Sequence, residues 1–227
     1  MQERAGNLIL VVAAHPDDEV LGCGGTLARS AASGETVQVM FLADGVGARG
    51  HGNSAAERRM AAARAAAEIL GTNSPRCLGL PDNRLDSVPL LEVVQAVEEI
   101  IEEFRPRIVY THHSGDLNVD HRVAHQAVLT ATRPLPGSTV AAIYAFEVLS
   151  STEWATSSAP CFRPNRFVDV SDYSEVKHRA MAAYHDEARE FPHARSREAI
   201  EAQLVSRGAS VGVAAAEAFI VEREIIH

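Results

Sequence analysis

The chain has 227 residues, 46% of them hydrophobic, which is enough for one sizeable core. Its formal net charge of −9 argues against a protein built to bind a nucleic-acid backbone or an anionic membrane surface, since the sequence has no basic run to meet either partner. No segment of the sequence reads as a transmembrane helix.

Apolar runs rich in β-branched residues alternate with helical periodicity over the first two thirds of the chain, a pattern typical of βα units around a parallel sheet. Strands are predicted over residues 8–14, 36–43, 76–80, 107–111 and 139–148. From Asp172 onward the pattern is mostly helical, before a short apolar run near the end. We therefore predict an α/β fold, a Rossmann-like three-layer sandwich with a mostly parallel sheet.

Two helices between the strands have recognisable ends. Ser54 followed by Glu57 predicts a capping box at the start of the first, and Gly71 predicts its end. The segment "PLLEVVQAVEEIIEEF" repeats apolar residues at three- and four-residue spacing, and Pro106 ends it. We expect this second helix to cover one face of the sheet.

Polar side chains follow each of the first four predicted strands: His15, Asp17 and Asp18, then Asp44, then Asp82, and then His112 and His113. Ligands in open α/β sheets bind beyond the carboxyl ends of the strands, so these loops are predicted to surround one pocket. Ordinary turns would explain a single aspartate in each loop. They explain four loops carrying histidines and acids less well.

The motif "HPDDE", residues 15–19, places three consecutive carboxylates beside an imidazole at the start of a predicted helix. The helix dipole stabilises one such acid without any metal. It does not explain the histidine or the presence of three repelling charges. A divalent cation would offset the repulsion and take oxygen and imidazole ligands, so we predict a metal site here.

A second cluster, "THHSGDLNVDHRVAH" over residues 111–125, holds four of the ten histidines. If its later part is a helix, His121 and His125 lie one turn apart and could bind a metal as a pair. Alternatively, only His121 reaches the pocket, while His125 packs against the sheet or points to solvent. His121 lies at the start of this helix, near the strand ends, and is therefore favoured over His125 as the metal ligand.

Together, "AHPDDEVLGCGG" and "DLNVDHR" resemble the metal-dependent de-N-acetylases of N-acetylglucosaminyl compounds, known as the PIG-L or LmbE-like family. The resemblance implies a Zn²⁺ cofactor, with Fe²⁺ as the alternative, held by His15, Asp18 and His121. It also implies that Asp17 is the general base when zinc-bound water attacks the N-acetyl group of a small sugar or glycoconjugate, which yields acetate and a free amine. Related proteins form rings or trimers, so a homo-oligomer is a further expectation.

The second motif departs from the family pattern, because Asn118 and Val119 replace the family's histidine and proline. Asn118 can stabilise an oxyanion by hydrogen bonding, but it cannot pass on a proton. Asp120 matches the family's aspartate and is expected to orient its neighbours. The amine would then gain its proton from Asp17, or alternatively from one of the histidines His193, His112 and His113.

Three loop residues, Asp44, Arg49 and Asp82, are predicted to bind sugar hydroxyls at the rim of the pocket. Each has a plainer alternative as a turn-forming or solvated residue. The glycine-rich "GCGGTL" has a faint likeness to a dinucleotide-binding turn, but the intervening acids would repel phosphate. No serine-hydrolase elbow occurs. The alternatives to a deacetylase are a weakly active metal- and sugar-binding protein and a hydrolase of another small amide.

Cys23, Cys77 and Cys161 have neither disulfide nor zinc-ribbon spacing, so reduced thiols are expected. The N-terminal apolar stretch is short and runs into His15 without a secretory cleavage pattern. We therefore expect a cytoplasmic protein with a single domain over residues 1–227 and with no nucleic-acid or membrane partner.

Overall fold

A computed structural model describes residues 8–49 and 53–226 of the protein. Its sheet has seven strands: β1 (Leu8–Ala13), β2 (Thr36–Ala43), β3 (Arg76–Leu80), β4 (Ile108–His112), β5 (Ala142–Phe146), β6 (Arg166–Asp169) and β7 (Ala216–Glu224). The helices in the described ranges are α1 (Asp18–Ala32), α2 (Asn53–Leu70), α3 (Leu90–Phe104), α4 (Val119–Ala131), α5 (Ser174–Ala183) and α6 (Arg197–Ala209).

The strand order is β3-β2-β1-β4-β5-β7-β6. The first five strands in this order are parallel, while β7 runs antiparallel to both β5 and β6. The prediction of a mostly parallel α/β sheet is therefore confirmed. Within residues 8–49 and 53–226, no helix has the length and apolar character needed to cross a membrane.

Strand β1 is buried on both faces. Its side chains point alternately to the two faces of the sheet, so they pack into two separate core layers. Ile9, Val11 and Ala13 pack with residues of α1, α2, α5 and α6. Leu10 and Val12 pack on the opposite face with residues of α3 and α4. Helices therefore cover both faces, and the ends of the central strands β1 and β4 lie between the two helical layers.

Some predicted boundaries differ from the structure. The four-residue strand β6 was not predicted, because "RFVD" is short and mostly half-buried and has no extended apolar run. Ser54 already lies inside α2, which begins at Asn53, so it does not precede the helix as a capping box requires. The first of the two helical segments after Asp172 is shorter than its sequence pattern suggests, since α5 ends at Ala183 and α6 begins at Arg197. The intervening loop contributes to the site described below.

Helix α1 contains a sharp kink at Cys23, whose φ of −147° and ψ of 16° are not helical. Gly22, just before the kink, packs so closely that a Cβ atom would lie 2.3 Å from the Phe146 ring. The glycines of "GCGGTL" are thus buried in the helix and do not face an open phosphate site. The dinucleotide-binding alternative has no support from this geometry.

A buried ion pair between Lys177 on α5 and Glu217 on β7 satisfies the backbone groups that the kink releases. Lys177 Nζ lies 2.6 Å from Glu217 Oε1 and donates to the Leu21 carbonyl at 2.8 Å. The Glu217 carboxylate accepts hydrogen bonds from Gly25 N at 2.9 Å and Thr26 N at 2.7 Å. Such groups are costly when buried without partners, so the pair stabilises the bent helix that begins at Asp18.

We predict that Lys177→Met lowers the free energy of unfolding by about 3–5 kcal/mol, because it leaves Glu217 as an uncompensated buried charge. The double variant Lys177→Met/Glu217→Gln should regain part of that loss. Urea denaturation measures both. The matched control is Arg76→Met, which breaks an exposed pair with Glu103 and should change stability by less than about 1 kcal/mol. Equal losses in the single and double variants would contradict the prediction.

Candidate active and metal site

A polar cavity opens where the loops after β1, β4 and β5 meet the loop between α5 and α6. Its walls include His15, Asp17, Asp18, Asn118, His121 and Arg195. The cavity lies beyond the carboxyl ends of the central strands, as expected for a parallel α/β sheet. All four loops predicted to meet here reach the cavity wall: the loops after β1 and β4 supply most of these side chains, and those after β2 and β3 contribute Gly45 and Asn83.

The structure brings together the three residues predicted to bind metal. Donor atoms of His15, Asp18 and His121 all lie within 4.8 Å of one another, and all three residues are buried. Asp18 Oδ2 is 3.4 Å from His15 Nδ1 and 3.4 Å from His121 Nε2. Two imidazole nitrogens and one carboxylate oxygen suit a catalytic zinc site that keeps a position for water or substrate. The same donors suit Fe²⁺.

Asp120, at the start of α4, holds the His15 ring. Its Oδ2 lies 3.0 Å from His15 Nε2, and its two oxygens accept hydrogen bonds from Asn83 N and Leu85 N at 2.7 and 2.9 Å. A proton on Nε2 leaves Nδ1 as the ligating nitrogen on the side of Asp18. This arrangement of carboxylate, histidine and metal ligand is common in metal sites.

Asp116 holds His121 in the same way and was not identified from the sequence. Its Oδ1 lies 3.1 Å from His121 Nδ1, and its oxygens accept hydrogen bonds from Ser151, Thr152 Oγ1 and Asn118 N. Burial opposes ionisation of Asp116, but the hydrogen bond from His121 outweighs it and lowers the pKa of Asp116 to about 2. The carboxylate in "SGD", three residues after His113, was the available signal in the sequence.

The electrostatics of the site favour positive charge. Burial opposes protonation of His121, but the carboxylates of Asp18 and Asp116 outweigh it and raise its pKa to about 9. Burial also opposes protonation of His15, yet hydrogen bonds to Asp120, Asp18 and Asp82 raise its pKa. A divalent cation would supply the same compensation for these carboxylates.

Asp17 is held in an unusual conformation beside the candidate ligands. Its φ of 116° lies in a region that few residues other than glycine adopt. Its Oδ2 is 2.7 Å from Arg195 Nη1 and 3.2 Å from Arg59 Nη2. Burial raises the pKa of Asp17, and the two arginines oppose this increase. Glu187 in turn binds both guanidinium groups.

Glu19, the third acid of the motif, supports Asp17 and is not one of the three candidate ligands. Its Oε2 accepts a hydrogen bond from Asp17 N at 3.0 Å, and its Oε1 accepts one from Tyr184 Oη at 2.5 Å. Burial raises the pKa of Glu19 to about 7. Glu19 therefore stabilises the backbone that positions Asp17.

Asn118 lines the cavity and also caps α4. Its Oδ1 accepts a hydrogen bond from Asp120 N at 2.8 Å, as an N-cap residue does, and its Nδ2 donates to Asn83 Oδ1 at 3.1 Å. One Nδ2 hydrogen is left over for another acceptor. The residue therefore combines a structural role with a position in the cavity wall.

The residues predicted to bind sugar hydroxyls lie outside the cavity wall, so far as the structure describes them. Asp44 accepts hydrogen bonds from Val46 N and Gly47 N. Asp82 accepts one from Ala48 N, and its Oδ1 lies 3.2 Å from His15 Nε2. Both carboxylates thus order the loops around them. The side chain of Arg49 falls outside the described part of the chain. Substrate binding by Asp44, Arg49 and Asp82 stays a prediction.

Four other histidines named in the sequence analysis have other partners. His112 Nε2 accepts from Ala14 N at 2.8 Å, and His113 Nε2 donates to the Pro160 carbonyl at 2.8 Å. His125 Nε2 lies 3.1 Å from Glu222 Oε1, so of the two helical histidines only His121 reaches the site. His193 Nδ1 accepts from Arg195 N beside the cavity. None of these four lines the cavity wall.

Residues 10–132 match the family model PIG-L, described as GlcNAc-PI de-N-acetylase. The chain belongs to the PIG-L family. This confirms the resemblance seen in the two sequence motifs. The match includes His15, Asp17, Asp18, Asn118 and His121, whereas Arg195 lies beyond it.

Relatives and solved structures extend the PIG-L match beyond the two motifs. The chain is 34% identical over 133 residues to an uncharacterized deacetylase, YaiS, from Escherichia coli, covering 56% of this chain and 69% of that protein. It is 30% identical over 187 residues to diacetylchitobiose deacetylase from Thermococcus kodakarensis, covering 78% and 68%. The crystal structure of a conserved protein from Thermus thermophilus aligns with a TM-score of 0.77 at 28% identity and covers 96% of each chain.

We predict that His121→Ala loses most of the zinc retained by the wild-type protein after loading and gel filtration, because it removes one of three donors. His125→Ala is the matched control and should keep a full equivalent. Metal content by mass spectrometry distinguishes the two variants. A His125→Ala protein that loses zinc while His121→Ala retains it would show that the ligand assignment is wrong.

We further predict that Asp120→Asn weakens zinc affinity by about 10–100-fold, since it disturbs the hydrogen bond that orients His15. The measurement is competition against a chromophoric chelator, with circular dichroism to confirm that the variant is folded. Unchanged affinity would rule out an orienting role for Asp120.

Proposed function

We propose that the protein is a metal-dependent hydrolase that removes the N-acetyl group from an N-acetylated sugar or glycoconjugate and releases acetate and a free amine. The observation that carries the proposal is the convergence of His15, Asp18 and His121 on one side of a cavity that also contains the buried Asp17. Membership of the PIG-L family supports it, as do relatives named as deacetylases, one of them for diacetylchitobiose.

In this proposal His15 Nδ1, Asp18 Oδ2 and His121 Nε2 are the ligands of Zn²⁺, with Fe²⁺ as the alternative ion, and the short distances from Asp18 Oδ2 to both imidazoles support this choice. A cation bound there supplies Lewis acidity to the acetamide carbonyl and to the attacking water. Asp120 and Asp116 position the two imidazoles by fixing their tautomers.

Asp17 is assigned as the general base. Arg195 and Arg59 both contact Oδ2 of Asp17. Asp17 therefore accepts the proton of the water through Oδ1 in this scheme. The two guanidinium groups fix the carboxylate, which reduces the reorganisation needed when the water gives up its proton. After the C–N bond breaks, the proton held by Asp17 passes to the departing amine.

Asn118 is assigned as an oxyanion donor through its remaining Nδ2 hydrogen. It cannot replace the family's histidine as an acid, because an amide does not titrate in the relevant range. His112 and His113 are buried and engaged with Ala14 N and the Pro160 carbonyl, which makes them poor proton donors to the cavity. Asp17 is therefore assigned as the proton source for the amine, with His193 as the alternative.

We predict that Asp17→Asn lowers kcat for deacetylation by about 10²–10⁴-fold, the usual contribution of a general base, while zinc content stays near one equivalent. The assay incubates zinc-loaded protein with a panel of N-acetylglucosamine conjugates and measures free amine and acetate. Asp172→Asn, an exposed acid outside the site, is the matched control and should retain full activity.

Two outcomes would count against the proposal. Full activity of Asp17→Asn would remove Asp17 from the mechanism. Zinc and sugar binding by the wild-type protein without acetate release from any conjugate would favour the alternative of a metal- and sugar-binding protein.

A further inference from the structure

Left-handed backbone conformations in the described residues are concentrated at the candidate active site. Four residues other than glycine have a φ in the left-handed region: Asp17, Asn83, Arg105 and Ser150. All of them except Arg105 line the cavity. Aspartate and asparagine are enriched in this region among residues other than glycine, whereas serine is not. Ser150, with a φ of 68°, is the member of this set in the cavity wall that has no role so far.

The backbone at Ser150 is held by side chains of its own loop. Ser150 N donates to Glu153 Oε1 at 2.6 Å, and Val148 N donates to Thr152 Oγ1 at 2.8 Å. These hydrogen bonds offset the cost of the left-handed conformation. The loop therefore places a hydroxyl in the cavity wall at a position that glycine would occupy with less strain.

The Ser150 hydroxyl is connected to both functional sides of the cavity. Its Oγ accepts a hydrogen bond from Arg195 Nε at 2.6 Å, while Nη1 of the same guanidinium lies 2.7 Å from Asp17 Oδ2. The neighbouring Ser151 Oγ lies 3.5 Å from Nδ1 of His121, a candidate metal ligand. One guanidinium group thus separates Ser150 from the candidate base, and its next residue lies beside a candidate ligand.

The hydrogen of the Ser150 hydroxyl is available to a ligand. A serine hydroxyl both donates and accepts, and the contact with Arg195 uses only a lone pair of the oxygen. The hydroxyl of Ser151 differs, because it donates to Asp116. Within the described residues, the Ser150 hydrogen has no acceptor. The hydrogen bond from the guanidinium polarises the Ser150 hydroxyl and makes it a stronger donor.

The size of the cavity limits what this hydrogen can meet. The cavity volume is about 80 Å³, whereas one water molecule takes up about 30 Å³ of the liquid. An acetamido group fits into this space, and a whole sugar ring does not. In an acetamido group the carbonyl oxygen accepts hydrogen bonds and the N–H donates them. The acceptor for the Ser150 hydroxyl is therefore the carbonyl oxygen.

We propose that Ser150 is a catalytic residue whose hydroxyl donates a hydrogen bond to the acetamide carbonyl oxygen and stabilises the oxyanion that forms when water attacks. The inference rests on the proposed function and adds a second donor beside Asn118. Negative charge grows on this oxygen as the C–O bond to water forms, so the hydrogen bond is strongest in the transition state. Ser150 keeps its proton throughout. It lies beyond residues 10–132, which match the family model.

Removal of the hydroxyl tests the proposal without adding strain. Ser150→Gly suits the left-handed backbone, so its melting temperature should equal or exceed that of the wild-type protein. With zinc-loaded protein and an N-acetylglucosamine conjugate, kcat for acetate release should fall about 100-fold, the usual cost of losing one oxyanion donor. KM should stay within about twofold. Arg105→Gly makes the same kind of change at an exposed left-handed residue outside the cavity wall. It is the matched control and should leave both constants unchanged.

Ser150→Ala separates the hydroxyl from the backbone. It keeps the Cβ atom and loses the oxygen, so its kcat should fall to the same extent as that of Ser150→Gly. Full activity of Ser150→Ala would show that backbone freedom caused the loss in the glycine variant, and this would overturn the proposal. A rise in KM with unchanged kcat in both variants would also overturn it, because the hydroxyl would then bind substrate and transition state equally.

A binding measurement shows whether Ser150 acts directly or through Arg195. The probe is the methylphosphonamidate analogue of N-acetylglucosamine, whose tetrahedral phosphorus carries an anionic oxygen where the oxyanion would form. Titration calorimetry compares zinc-loaded Asp17→Asn protein with the double variant Asp17→Asn/Ser150→Gly. The double variant should bind the probe about 100-fold more weakly and N-acetylglucosamine about equally. Equal affinities of the two proteins for the probe would make Ser150 a support for Arg195 and overturn the proposal.

These measurements separate the role of Ser150 from the proposed function. Probe binding that depends on Ser150, without acetate release from any conjugate, would support the hydroxyl as an anion donor and reject the deacetylase. Acetate release by Ser150→Gly at the wild-type rate would support the deacetylase and reject Ser150 as a donor.

Discussion

Three consecutive carboxylates are buried just beyond the end of β1, and the rest of the site is arranged around their charge. Each has a different kind of partner. Asp17 lies against two arginines, Asp18 lies between two imidazoles, and Glu19 bonds to a tyrosine hydroxyl and a backbone N–H. Buried ionised groups persist only when they are compensated in this way. The three acids therefore differ in role: Asp17 is a candidate base, Asp18 is a candidate ligand, and Glu19 supports the backbone at Asp17.

The PIG-L match and the remainder of the chain contribute different parts of this arrangement. Residues 10–132 supply the three candidate ligands and the carboxylates that orient them. Beyond this range, Ser151 bonds to Asp116, and Arg195 contacts Asp17. The three candidate ligands therefore lie within the family match, while Ser150, Ser151 and Arg195 of the cavity wall come from later segments.

The sequence was sufficient to predict the parallel sheet and the position of the site. Both depend on local signals, since apolar alternation marks the strands and topology places their carboxyl ends together. The choice of His121 over His125 also followed from position alone, because only the start of α4 approaches the strand ends. The sequence also showed that Asn118 replaces the histidine of the family motif. Its role as the N-cap of α4 could be seen only in the structure.

The contacts of Arg59 and Arg195 with Asp17 could not be predicted from the sequence, because they are tertiary contacts between residues far apart in the chain. Arg195 reaches Asp17 across 178 positions, and nothing in its neighbours distinguishes it from a solvated charge. The opposite difficulty arose for Asp44 and Asp82. Their positions at strand ends matched those of ligand-binding residues, yet their carboxylates accept backbone hydrogen bonds in the surrounding loops. Strand-end position indicates proximity to a site and cannot separate contact with substrate from support of a loop.

The ion pair at the kink of α1 has a consequence for how the protein matures. Glu217 belongs to β7 and bonds to backbone groups of α1 about 190 positions earlier in the chain. During synthesis, the ribosome releases the opening motif long before this carboxylate emerges. The bent helix that begins at Asp18 therefore gains these hydrogen bonds only after β7 has been synthesised and has joined the sheet.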